Sequence, residues 1–163
     1  MLAQGDRPGP GTGSEDCARG AVSRGVPLRI VWNDALSLGI TEIDHDHQRL
    51  CMLYSELRSL MKSSRGGEML QQALSDLVEY TQTHFAREET WMREYHYPGT
   101  VAHVFEHRTL TNKVLSLYEA QTSDTTTRVA VETLHLMGAW IPQHILGTDQ
   151  RMSAYLQKVG FGQ

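Results

Sequence analysis

Cysteine is scarce, basic charge is not in excess, and no apolar run is long enough to span a bilayer. Two cysteines, Cys17 and Cys51, cannot build the disulfide framework of a small secreted protein, so a reducing compartment is expected. Fifteen basic residues against nineteen acidic ones, with no basic stripe, leave no electrostatic footprint for nucleic acid or an anionic membrane surface. Met1 to Pro10 lack a basic start followed by an apolar run, so neither export nor membrane anchoring is expected. These absences point to a cytoplasmic protein, read as a monomer, whose partner is a small solute rather than nucleic acid or membrane.

What is present divides the chain in two. Residues 1–27 carry Gly5, Pro8, Gly9, Pro10, Gly11 and Gly13 with few large apolar side chains, too little to offset the entropy of ordering, and read as a flexible tail. Residues 28–160 read as one domain, a length sufficient to bury a core. It opens with an apolar arm containing Ile30, Val31, Trp32, Leu36, Leu38 and Ile40, in which Trp32 is expected to be a packing anchor.

Four stretches then repeat a helical rhythm. The first begins near Thr41, taken as its N-cap with Asp44 three residues on, and its stripe is Ile43, His47, Leu50, Tyr54, Leu57 and Met61. After a breaker at Ser63 to Gly67 the second gives Leu70, Leu74, Leu77, Thr81, His84, Glu88 and Trp91, and the loop at Pro98 and Gly99 stops it. The third runs His103, His107, Leu110, Val114 and Leu117. After a polar turn at Gln121 to Thr126, the fourth gives Ala130, Leu134, Met137, Ile141, His144 and Thr148. Such stripes are bundle seams, and short connections make the neighbours antiparallel, so the fold class is all-α: an up-down-up-down four-helix bundle with an N-terminal arm.

Polar residues interrupt the seams where leucine would otherwise stand. His47, His84, Glu88, His103, His107 and His144 occupy seam positions, and Asp149 lies one residue from its own. In the antiparallel topology the start of the first helix, the end of the second, the start of the third and the later half of the fourth share one level, so all seven meet there. Buried polar groups need partners, and five imidazoles with two carboxylates form a ligand set for two metal ions. His45 and His135 fall on the opposite helix faces and His96 in a loop, so none of the three joins the set. Glu89 points about 100° away from Glu88 and is expected to hydrogen-bond or meet solvent. Cys51 is expected to be a small buried hydrophobe.

The segments Trp32 to Ile40 with Ile43-Asp44-x-x-His47, His84-Phe85-x-x-Glu88-Glu89-x-x-Met92, Tyr97-Pro98, His103-x-x-x-His107 and Trp140-x-x-x-His144-Ile145-x-x-x-Asp149 together resemble the hemerythrins, in particular their single-domain bacterial members, over Val31 to Leu156. The resemblance implies two non-haem iron ions with an oxo or hydroxo bridge. It assigns His103, His107 and His144 to one iron, His47 and His84 to the other, and Glu88 and Asp149 to both. Dioxygen then binds at the open position of the two-histidine iron. By family position Leu50, Phe85, Trp140, Ile141 and Ile145 are candidates for the apolar wall of the oxygen pocket.

Imidazole suits first-row metals and carboxylates can span two cations. With only two carboxylates the ferrous pair keeps residual positive charge, which favours reversible dioxygen binding over oxygen activation, so the chain is read as a non-enzymatic protein of oxygen storage, delivery or buffering. The alternatives are a sensor of oxygen, nitric oxide or iron acting through a partner in trans, since no signalling region follows Gln163, and a di-iron oxidase, peroxidase or nitric oxide reductase. The five-residue spacing of His144 and Asp149 calls for a local π-type turn. Pro142 is expected to remove the hydrogen bond to Gly138 and kink the fourth helix.

Overall fold

Each apolar stripe becomes the buried face of a helix. In a computed structural model, which describes residues 30–60, 66–122 and 125–161, a 3-10 turn (Asp34–Leu36) leads to α1 (Thr41–Leu60), α2 (Gly66–Glu94), α3 (Thr100–Glu119) and α4 (Thr126–Gln143). A π-helical segment (His144–Asp149) and α5 (Gln150–Lys158) follow. Helix α1 packs on α2 and α4, α2 packs on α3, and α4 closes the bundle against α2 and α3. No strand occurs among the described residues, and none of their helices is long and apolar enough to cross a membrane. The architecture is the expected four-helix bundle. Residues 1–27, Cys17, Met61 and the Ser63 end of the expected breaker lie outside the described residues.

The core follows the stripes closely. Ile43, Leu50, Tyr54 and Leu57 of α1, Leu70, Leu74 and Leu77 of α2, Leu110 and Val114 of α3, and Ala130, Leu134, Met137 and Ile141 of α4 are all buried. Trp91 and Leu117 are only partly buried, at the ends of their stripes. The arm docks through Leu38 and Ile40, both buried, and Gln157 Nε2 of α5 donates to the Leu38 carbonyl at 2.8 Å.

Two helix starts differ from their expected chemistry. Thr41 is the first helical residue rather than the N-cap, because the Asp44 amide already bonds to the Ile40 carbonyl. Asp44 instead reaches backward, accepting from the Leu38 amide at 2.7 Å, the Gly39 amide at 3.2 Å and the Ser37 hydroxyl at 2.6 Å, and so ties the arm to α1. Gly66 and Gly67, expected in the breaker, form the first turn of α2.

Helix α2 ends at Glu94, ahead of Pro98. His96 takes a left-handed conformation with φ 52°. The Tyr97 amide bonds back to Met92 and the His96 amide to Arg93. That pair of bonds is a Schellman motif, with histidine in the position that glycine usually fills. Tyr155 of α5 braces this turn by donating its hydroxyl to the carbonyls of Tyr95 and His96.

Pro142 sits inside α4, and the departure from α geometry follows directly as the π segment. A π turn holds an extra residue, which rotates Asp149 inward from the flank it would occupy in an unbroken α-helix. Asp149 is fully buried as a result.

Candidate metal centre

Seven polar side chains are sunk into the interior of the bundle. His47 comes from α1, His84 and Glu88 from α2, His103 and His107 from α3, and His144 and Asp149 from the π segment; none is more than 2 % exposed. They form two overlapping groups. Glu88, His103, His107, His144 and Asp149 make one and His47, His84, Glu88 and Asp149 the other, and within each group one ligand atom per residue lies within 4.8 Å of all the others. All seven residues singled out in the sequence therefore converge, and Glu88 and Asp149 are common to both groups. His45, His96 and His135 are exposed, away from the centre.

The way these atoms face one another is unlike a hydrogen-bonded network. His47 Nε2 lies 3.1 Å from Asp149 Oδ2, His103 Nε2 and His144 Nε2 each 3.0 Å from Asp149 Oδ1, and His107 Nε2 3.2 Å from Glu88 Oε2. Yet these four nitrogens and all four carboxylate oxygens lack a hydrogen-bond partner in acceptable geometry. Buried polar atoms are seldom orphaned, and stranding two carboxylates and four imidazole nitrogens in a dry core is strongly destabilising. Lone pairs aimed at common points from several helices are the arrangement that cations satisfy, and nitrogen with oxygen donors suits first-row divalent metals. The residues present fit a pair of metal ions.

Electrostatics agree. Burial and the neighbouring Asp149 charge push the Glu88 carboxyl up, but the imidazoles of His84, His103 and His107 outweigh both and hold it at about 2. Burial likewise raises Asp149, and His103, His144 and His47 bring it well below the usual carboxylate range. Burial alone would lower His103, but Asp149 and Glu88 hold it at about 9. The cluster thus keeps both carboxylates ionised at neutral pH and attracts positive charge.

A second ring of acids orients the first. Asp46 Oδ2 lies 3.0 Å from His84 Nδ1, Glu89 Oε1 3.2 Å from His107 Nδ1, and Glu106 Oε2 3.0 Å from His144 Nδ1. Each carboxylate belongs to one helix and holds a histidine of the next, α1 to α2, α2 to α3, and α3 to the π segment. A carboxylate on Nδ1 fixes the tautomer with Nε2 free for a metal and raises its basicity. Arg87 also pairs with Asp46, and the Thr148 hydroxyl donates to Glu106 at 2.9 Å. Glu89 fulfils the expectation of a hydrogen bond, whereas Asp46 and Glu106 were not foreseen. Their sequence signal is an acid directly preceding a candidate ligand, at Asp46-His47 and Glu106-His107. Loss of such a partner typically weakens metal binding about 10–100-fold. Glu106→Ala is expected to fall in that range in a competition titration with a chelator, and unchanged affinity would remove Glu106 from this role.

Aromatic and aliphatic side chains close the walls. Phe85 stacks on His107 with ring centroids 3.8 Å apart, and Trp140 on His144 at 3.9 Å. Leu50, Ile141 and Ile145 are buried and Trp140 partly so. Trp32 comes nearer to the site than a simple packing anchor would: its ring centroid is 6.4 Å from that of His47. With Cys51 it lines a cavity of about 470 Å³ between the arm and α1. Cys51 is buried, and burial pushes its thiol up to about 11, as befits a small hydrophobe.

Comparison with known proteins bears on this geometry. Residues 38–156 match the family model described as the hemerythrin HHE cation-binding domain. The chain is 30 % identical over 131 residues to a bacteriohemerythrin of Stenotrophomonas maltophilia, covering 80 % of this chain and 81 % of that protein. It is 28 % identical to a bacteriohemerythrin of Clostridium acetobutylicum, covering 74 % and 95 %, and 29 % identical to a myohemerythrin of Riftia pachyptila, covering 76 % and 91 %.

Proposed function

Because the chain belongs to the hemerythrin family, we propose that it binds dioxygen reversibly at a non-haem di-iron centre, serving storage, delivery or buffering rather than catalysis. The observation that carries this reading is the asymmetry of the two ligand groups: three histidines gather on one side of the shared carboxylates and two on the other. His103, His107 and His144 would hold one iron, His47 and His84 the second, and Glu88 with Asp149 would span both. When bound, the ferrous pair supplies two electrons and an open coordination position to dioxygen.

The chain's own contribution is to hold that position and keep it dry. Glu88 and Asp149 supply two fixed negative charges from α2 and the π segment, so the separation of the two ligand groups is set by helix packing. Asp46, Glu89 and Glu106 lock the rings of His84, His107 and His144. Phe85, Trp140, Leu50, Ile141 and Ile145 form the proposed apolar wall, which limits displacement of a bound gas by water or anions. No protein side chain has to donate or accept a proton for uptake and release.

Uptake followed by release distinguishes carriage from turnover. The iron-loaded reduced protein is expected to take up dioxygen and return it unchanged on degassing, with the optical change reversing each time. Net consumption of oxygen with turnover would replace carriage by an oxidase reading, and formation of a stable complex with a signalling protein would favour a sensor.

A further inference from the structure

Among the buried hydroxyls, those of Thr81, Thr133 and Thr148 donate to Val78, Val129 and Glu106 respectively. Tyr80 is different. Its side chain is buried and its hydroxyl has no hydrogen-bond partner. Its ring stacks on His84, with centroids 5.1 Å apart and planes 24° from parallel. One helical turn separates Tyr80 from His84, so both lie on the inward face of α2. The phenol therefore adjoins the side of the centre that has two histidines, not the side that has three.

An unsatisfied O–H in a dry core is destabilising, and its persistence calls for a partner that arrives later. No side chain or backbone group within hydrogen-bonding geometry supplies one. We propose that the Tyr80 hydroxyl is the hydrogen-bond donor to the small exogenous ligand, dioxygen or an anion such as azide, that binds on the His47 and His84 side of the centre. Tyr80 is then a ligand-contacting residue that sets affinity. This rests on the di-iron reading above.

The test compares wild type with Tyr80→Phe, both loaded with iron and oxidised, by titrating azide and recording melting curves. Loss of one hydrogen bond to a charged acceptor is expected to weaken azide binding about tenfold, equivalent to about 1.4 kcal/mol. The melting temperature without azide is expected to hold or rise, because an orphaned hydroxyl has been removed. A structural hydroxyl would give the opposite pattern, lower melting temperature with unchanged azide affinity, and that result overturns the proposal. A second readout needs no variant: azide binding to wild type is expected to shift the tyrosine near-ultraviolet absorption, and a flat difference spectrum would also overturn it. If wild type holds paired iron and binds azide but Tyr80→Phe is indistinguishable from it, this inference fails while the di-iron reading stands. If wild type takes up no iron, both fall.

Discussion

Glu88→Ala is expected to abolish paired iron binding, while His135→Ala leaves the iron content of the protein unchanged. Glu88 belongs to both ligand groups, and its two oxygens are buried without hydrogen bonds. Removing it takes a negative charge and a shared donor from both cation positions at once. Asp149 would remain as the only carboxylate common to the two groups, facing two cations with half the compensating charge. His135 carries the same side chain as the candidate ligands but is exposed on the outer face of α4. Elemental analysis of the two variants checks the pair of outcomes. Full iron in Glu88→Ala would remove its bridging role, and iron loss in His135→Ala would contradict the assignment of helix faces.

The second large effect is on stability. Five imidazoles and two carboxylates converge in a dry interior, with most of their inward atoms unpartnered. Without metal, that convergence opposes folding through desolvation and crowding of like groups. With metal, the same convergence is binding energy available only to the folded chain. A ligand present at about a thousand times its dissociation constant adds about 4 kcal/mol. For a domain of this size each kcal/mol moves the melting temperature by about 2–4 °C. Iron loading is therefore expected to raise the melting temperature by about 10 °C or more. Equal melting temperatures with and without iron would mean that these side chains do not act together on a metal.

Much of this was legible in the sequence because helical periodicity is a strong signal when it recurs. Ile43, His47, Leu50, Tyr54 and Leu57 share a face by spacing alone, and His84 with Glu88, or His103 with His107, need no knowledge of tertiary structure to be aligned. Antiparallel topology then brought the four levels into register. Asp149 was harder, since five residues separate it from His144; the π segment supplies the extra rotation, next to Pro142.

The outer carboxylates were largely hidden because their partners are on neighbouring helices. Asp46 lies about 100° round α1 from His47, a direction that periodicity labels as a flank, and only the packing of α1 on α2 shows that the flank meets His84. Glu106 reaches His144 in the same way across α3. The loop that ends α2 was legible, but the form of its turn was not, for a local reason. Pro98 and Gly99 are evident breakers, whereas a histidine adopting left-handed geometry at His96 leaves no compositional mark. Tyr80 was passed over because Thr81, its neighbour, fits the stripe; both are buried, and the contact with His84 and the unpartnered hydroxyl set Tyr80 apart.

Locating the metal tests the central claim most directly. Crystals of the iron-loaded protein, measured at the iron absorption edge, are predicted to show two anomalous-scattering peaks per chain. One would lie among His103, His107 and His144 and the other between His47 and His84, with Glu88 and Asp149 touching both. A single peak, or iron bound away from these seven side chains, would contradict the account.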